Sequence, residues 1–114
     1  MNYALKNGKI EVGFTTLGGT LTSIKNKEGL EFLWQGDATY WSGQAPILFP
    51  ICGSIRNNKA TVGEGLQMEM ARHGIVRKRE FELLSQSDDE ISFVIQSNEE
   101  MLKQFPNDFM LVSR

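Results

Sequence analysis

Two prolines, Pro46 and Pro50, bracket the apolar run Ile47-Leu48-Phe49. Neither carries an amide hydrogen and both fix φ, so the run is excluded from helix and predicts an extended segment, a buried edge strand or one bridging two sheets. Polar residues follow it in Gly53-Ser54-Ile55-Arg56-Asn57-Asn58-Lys59. Gly53 admits a positive φ or the close approach of a ligand to backbone. Arg56 and the two asparagines offer planar donors and amide acceptors suited to a hydroxyl-rich small molecule. The single histidine, His73, arrives next in Arg72-His73-Gly74-Ile75-Val76-Arg77, where Gly74 lets the chain turn tightly beside an imidazole that titrates near neutrality. Each piece also has a plainer reading. Gly-Ser and Asn-Asn are ordinary turn residues, Arg56 and Lys59 suit a solvated loop, and a lone histidine is more often a structural hydrogen-bonder than a catalyst.

The rest of the chain reads mostly as strand. Tyr3–Leu5 and Lys9–Phe14 flank Asn7-Gly8, a dipeptide favoured in type I′ hairpins, and Gly18-Gly19 breaks the pattern before a strand over Thr20–Lys25. Glu31–Trp34 reads as a short strand, Leu66–Met70 alternates with Leu66, Met68 and Met70 on one face, and Glu80–Ser85 and Glu90–Gln96 form a second hairpin around Gln86-Ser87-Asp88-Asp89. Only Asn98–Phe105 predicts a helix, with Asn98 as cap, two acids in the first turn and Pro106 as terminator. That is too little helix for a parallel α/β sheet, so the class that remains is all-β and antiparallel, with no internal repeat or linker to divide the chain.

Composition excludes several partners. A formal charge of −2 argues against nucleic acid as the main partner, which needs a concentrated cationic face. Met1–Phe14 lacks the continuous apolar stretch of a signal peptide and no window is long enough to cross a bilayer, so a cytoplasmic protein without a membrane partner is expected. Cys52 is the one cysteine; its place in an apolar strand predicts a buried, inert thiol. Trp34 and Trp41 suit either stacking on sugar C–H faces or a place in the core or a cleft wall, and the general burial of tryptophan favours the latter.

Four ordered segments, Phe32-Leu33-Trp34-Gln35-Gly36-Asp37, Tyr40-Trp41, Ala45–Gly53 and His73-Gly74-Ile75-Val76-Arg77, closely resemble the amino-terminal part of the aldose 1-epimerases, the galactose mutarotases. The bacterial branch related to the protein encoded with lactose operons is the most similar, with its leucine-phenylalanine-proline strand ahead of a His-Gly-Phe-Ala-Arg motif. The resemblance implies a β-supersandwich that binds a pyranose in an open cleft and interconverts α and β anomers without metal or cofactor. In such enzymes a glutamate takes the anomeric hydroxyl proton while a histidine protonates the ring oxygen, a division of labour suited to general acid–base catalysis. Residue by residue, His73 matches the first family histidine, which hydrogen-bonds the sugar near its ring. Arg77 matches the motif arginine, which contacts hydroxyls or, in sugar-phosphate epimerases, a phosphate.

The chain departs from that pattern in three ways. Ser54 stands directly after Gly53, so Arg56, two positions later, substitutes for the family arginine without aligning to it, and Ile75 replaces the motif phenylalanine. The family's proton-donating histidine and glutamate base lie downstream of this motif, and His73 has no second histidine beside it. None of Glu64, Glu69, Glu80, Glu82, Glu90, Glu99 and Glu100 sits in a context like that of the base, and each reads as a surface carboxylate. The expectation is therefore one partial domain, residues 1–114, with Arg56, His73 and Arg77 as substrate-binding residues, no catalytic pair of its own, and a sugar or sugar phosphate as ligand. Family members being more than twice as long, the abrupt end at Phe109–Arg114 suggests truncation, and the apolar Phe109-Met110-Leu111-Val112 predicts self-association through exposed strand edges.

Overall fold

The computed structural model describes residues Met1–Arg114. The chain opens with β1 (Asn2–Lys6), β2 (Ile10–Thr15) and β3 (Thr20–Asn26), an antiparallel meander in the order β1-β2-β3. The first hairpin forms where expected, but not through a type I′ turn. Asn7 N–H donates to the Ile10 carbonyl, which makes Gly8 and Lys9 the central residues, and of these only Gly8 has a positive φ. A type I′ turn needs a positive φ at both. The Asn7 carboxamide oxygen accepts instead from the Lys9 and Ile10 amides, both at 3.1 Å, and caps the loop.

Residues 27–58 contain no strand. The extended segment expected over Glu31–Trp34 reduces to one bridge, Lys25 with Glu31, because Glu31 turns its carboxylate back on the sheet. It accepts from the Ser23 hydroxyl, from the Ile24 amide at 2.8 Å and from the Leu33 amide at 2.9 Å, and so ends the pairing it would have continued. The buried strand expected over Ile47–Phe49 does not form either: the run is half-buried and contributes only a single parallel bridge, Phe49 with Gly74.

A 3-10 turn at Arg56–Asn58 leads into β4 (Lys59–Val62), a strand the turn-like composition of that stretch concealed. β4 pairs with β5 (Leu66–Glu69) in an isolated two-stranded ribbon, where Met68 and the following Met70 are buried but Leu66 is exposed. β6 (Glu82–Gln86), β7 (Ile91–Gln96) and β8 (Met110–Ser113) form a third antiparallel sheet in the order β6-β7-β8. Between β7 and β8 lies α1 (Glu99–Gln104), capped as predicted: the Asn98 side chain accepts from the Met101 amide at 2.9 Å. The fold is thus all-β with one short helix.

The core lies between the first and third sheets. Phe93 of β7 meets Tyr3 of β1 and Phe14 of β2 at centroid separations of 5.7 and 6.2 Å, and Met70, Val76, Phe81 and Met101 close the cluster. Such aromatic and aliphatic burial is the main favourable term holding two sheets face to face. Only 14 of 114 residues are buried, and the molecule is a slab of 54 × 34 × 19 Å with a radius of gyration of 16.4 Å. A closed globule of this length has a radius of gyration of about 13 Å. β8 is paired along one edge only, to β7, and exposes Met110 and Val112. No helix is long and apolar enough to cross a membrane.

Candidate functional site

The two motif segments that the sequence separates are neighbours in space. Phe49 is held by Phe105 and Phe109, with ring centroids 6.1 and 4.8 Å away, and this fixes where its carbonyl points. That carbonyl accepts the Ile75 amide at 2.8 Å. Gly74 passes so close that a Cβ there would stand 1.9 Å from the Phe49 oxygen, and its φ is +81°, so no other residue fits. Farther along, the Gly53 carbonyl accepts the His73 amide at 2.8 Å while the Gly53 amide donates to His73 Nδ1 at 2.9 Å. Backbone and side chain of one residue are thereby tied to both polar groups of another.

His73 occupies the third position of a turn closed by Gly74 N–H to the Ala71 carbonyl, with φ +70°. A positive φ there is what a type II turn requires, and glycine or asparagine usually supplies it. A histidine in that place is strained, and the double tie to Gly53 is what holds it. Arg72 Nε lies 3.0 Å from His73 Nε2, so hydrogen-bond donors approach both ring nitrogens. A neutral imidazole has one in-plane lone pair and an imidazolium none, so the ring serves one donor at a time and gains nothing from protonation. Burial, then the charges of Arg72 and Arg77, hold its pKa below the ordinary value of 6.5.

Arg77 is half-buried and makes no ion pair within the chain, although its charge reaches His73. Its neighbour in sequence, Arg79, is spent structurally. The Arg79 guanidinium clasps Glu100 through two bonds of 3.1 Å and donates from Nε to the Ile75 carbonyl, while its own carbonyl accepts from Gly18 at 2.8 Å. The loop carrying His73 and Arg77 is therefore anchored on α1 on one side and on the β2–β3 turn on the other. This anchor has no signal in the sequence, since Arg79 and Glu100 are far apart in it.

Of the three residues expected to bind substrate, His73 and Arg77 lie on one loop, and the Arg77 charge reaches the imidazole. Arg56 stands exposed on the 3-10 turn, with Asn57 and Asn58 beside it in left-handed conformations, and is not among the charges that lower the His73 pKa. Arg72 joins the pair instead. Cys52 is exposed, because the segment leaving Pro50 is neither paired nor covered on that side, and this corrects the expectation of a buried thiol. Trp34 and Trp41 are not core residues either: both remain about half-exposed, and Trp41 walls a concavity of about 410 Å³ that Arg77 also lines. The seven glutamates read as surface carboxylates are all exposed. No cluster of histidine, cysteine, aspartate and glutamate is placed to hold a metal ion.

The chain is similar to known proteins. The aldose 1-epimerase family model matches residues 1–113. Protein LacX of Lactococcus lactis subsp. lactis, in its plasmid and chromosomal forms, is 50% identical over 97% of the chain. The chain spans 38% of the length of these curated relatives. Among solved structures, a galactose mutarotase related enzyme from Lactobacillus acidophilus superposes with a TM-score of 0.92 at 31% identity, covering 98% of this chain and 37% of that one. A galactose mutarotase-like protein from Lactobacillus casei gives a TM-score of 0.92 at 33% identity, covering 98% of this chain and 38% of that one.

Proposed function

We infer that this chain, which belongs to the aldose 1-epimerase family, binds an aldose or aldose phosphate at the junction of Gly53 and His73 and serves the interconversion of its anomers. The observation that carries this reading is the pair of hydrogen bonds between Gly53 and His73, with Arg77 in electrostatic reach. An imidazole kept neutral and rigid is a directional partner for a ring oxygen or hydroxyl, and a guanidinium without a carboxylate partner is free to bond sugar or phosphate oxygens. Arg56, on its exposed turn, is read as an outer contact of the same cleft.

Residues 1–114 act in this reading as one partial domain that contributes binding and not turnover. His73 is the single histidine, and mutarotation by acid–base catalysis calls for a donor and a base on opposite sides of the reacting unit. Polarimetry on the 114-residue chain should show sugar mutarotating at the buffer rate, while titration calorimetry with galactose or galactose 6-phosphate shows weak binding that His73→Ala and Arg77→Ala abolish. A His73-dependent mutarotation rate, or binding indifferent to both substitutions, would overturn the reading.

A second reading is favoured by β8, which leaves one edge unpaired and Met110 and Val112 exposed. Edges of this kind recruit another strand. In the absence of further β structure the chain is proposed to self-associate there. Light scattering should give a mass above the 12.9 kDa monomer, falling to it in a Val112→Lys variant; a monomer at high concentration would remove the proposal.

A further inference from the structure

The surface loop from Phe32 to Gln44 exposes Phe32, Trp34, Tyr40 and Trp41 together. Trp34 and Tyr40 pack edge to face with ring centroids 6.4 Å apart, and the loop is fastened to the sheet. The Gln35 and Gln44 amides both donate to the Thr22 carbonyl of β3, at 3.0 and 2.8 Å, and Gln44 also donates to the Trp34 carbonyl at 2.8 Å. The Trp34 indole N–H bonds the Trp41 carbonyl at 2.9 Å, and the Thr20 hydroxyl bonds the Ala45 carbonyl. Trp41 lies so tightly over Gly43 that a Cβ there would stand 2.4 Å from the indole. Its ring is consequently set in place, yet remains 52% exposed.

What that ring faces is a concavity of about 410 Å³ whose walls include Thr20, Thr22, Gln44 and Arg77. Arg77 and Lys78 also line the neighbouring concavity that reaches Gly74. An aromatic face ringed by hydroxyl, amide, guanidinium and, at Lys78, ammonium groups, with no carboxylate among them, matches a pyranose: one face of C–H bonds, a rim of oxygens and no positive charge. Pre-organisation spares the ordering cost that a flexible loop would meet on binding.

We propose that this concavity is a carbohydrate subsite in which the Trp41 indole stacks on the C–H face of a pyranose ring and decides which sugar the chain accepts. The proposal rests on the sugar-binding reading above, and the experiment separates the two. Titration of the labelled chain with methyl β-D-galactopyranoside, whose ring cannot open, is followed by NMR at two places, the Trp41 indole N–H and the His73 imidazole. Both signals should move with one midpoint. Trp41→Ala should weaken binding about three- to tenfold, the range of a single aromatic contact. Trp41→Phe should recover part of the loss, and Gly43→Ala, which displaces the ring without removing it, should weaken binding too. A shift at His73 with Trp41 silent, or unchanged affinity in Trp41→Ala, overturns the subsite and leaves sugar binding standing; silence at both places overturns both.

Discussion

His73 and Gly53 exchange two hydrogen bonds, one from the His73 amide to the Gly53 carbonyl at 2.8 Å and one from the Gly53 amide to His73 Nδ1 at 2.9 Å. The imidazole is thus oriented by the same glycine that its backbone braces. A ring so committed has little freedom to search for a ligand and instead presents Nε2 in one direction, beside Arg72 and within reach of the charge on Arg77.

The His73 midpoint should fall below 6.5, because burial and the Arg72 and Arg77 charges disfavour the imidazolium. Its folded pKa being depressed, the unfolded chain binds the proton more readily, so this contribution to stability is complete above pH 6.5 and declines as the pH falls toward the folded midpoint. Imidazole NMR titration reads the midpoint directly, and Arg72→Ala and Arg77→Ala should each raise it. A wild-type midpoint at or above 6.5 contradicts the placement.

Strain and chemistry at His73 separate by substitution. His73→Gly removes a left-handed non-glycine residue, a relief of order 1 kcal/mol, against the loss of one hydrogen bond of similar size. Thermal unfolding should therefore change little, whereas His73→Ala, which keeps the strain and loses the bond, unfolds earlier. Both should fail to bind sugar. Binding retained by the glycine variant shows that the imidazole touches no ligand.

Gly74 and Gly53 have positive φ, +81° and +82°, but different surroundings. Gly74→Ala places a Cβ 1.9 Å from the Phe49 oxygen, whereas nothing lies within 4 Å of a Cβ on Gly53. In urea the first substitution should cost about 3 kcal/mol or more and the second about 1–2 kcal/mol, the backbone penalty alone. Equal costs would mean that the Phe49 carbonyl yields.

Glu31 accepts from the Ser23 hydroxyl and the Ile24 and Leu33 amides, which lowers its pKa from 4.5 to about 2. Its contribution to stability is complete above pH 4.5 and is lost as the pH falls toward 2. Glu31→Gln should flatten the acid limb of the unfolding curve over that interval while lowering stability at pH 7. An unchanged acid limb shows that the carboxylate is not held as described.

The sequence by itself determined the strand-rich class, both hairpins and the Asn98-capped helix, because these follow from period-two alternation, turn residues and a capping side chain, all local properties. It also marked the His73–Arg77 segment by resemblance. It missed β4, whose Lys59-Ala60-Thr61-Val62 is short and follows turn-forming asparagines, and it overextended Glu31–Trp34, where a side chain takes the hydrogen bonds a strand would have used. What only the tertiary structure decided is which residues meet: Gly53 with His73, Gly74 with the Phe49 carbonyl, Arg79 with Glu100, Trp41 with Gly43. Three of these contacts join residues distant along the chain. Their geometry is set by sheets packing across Phe93 and by Phe49 wedged between Phe105 and Phe109, and such packing depends on the whole fold at once, which no local pattern records.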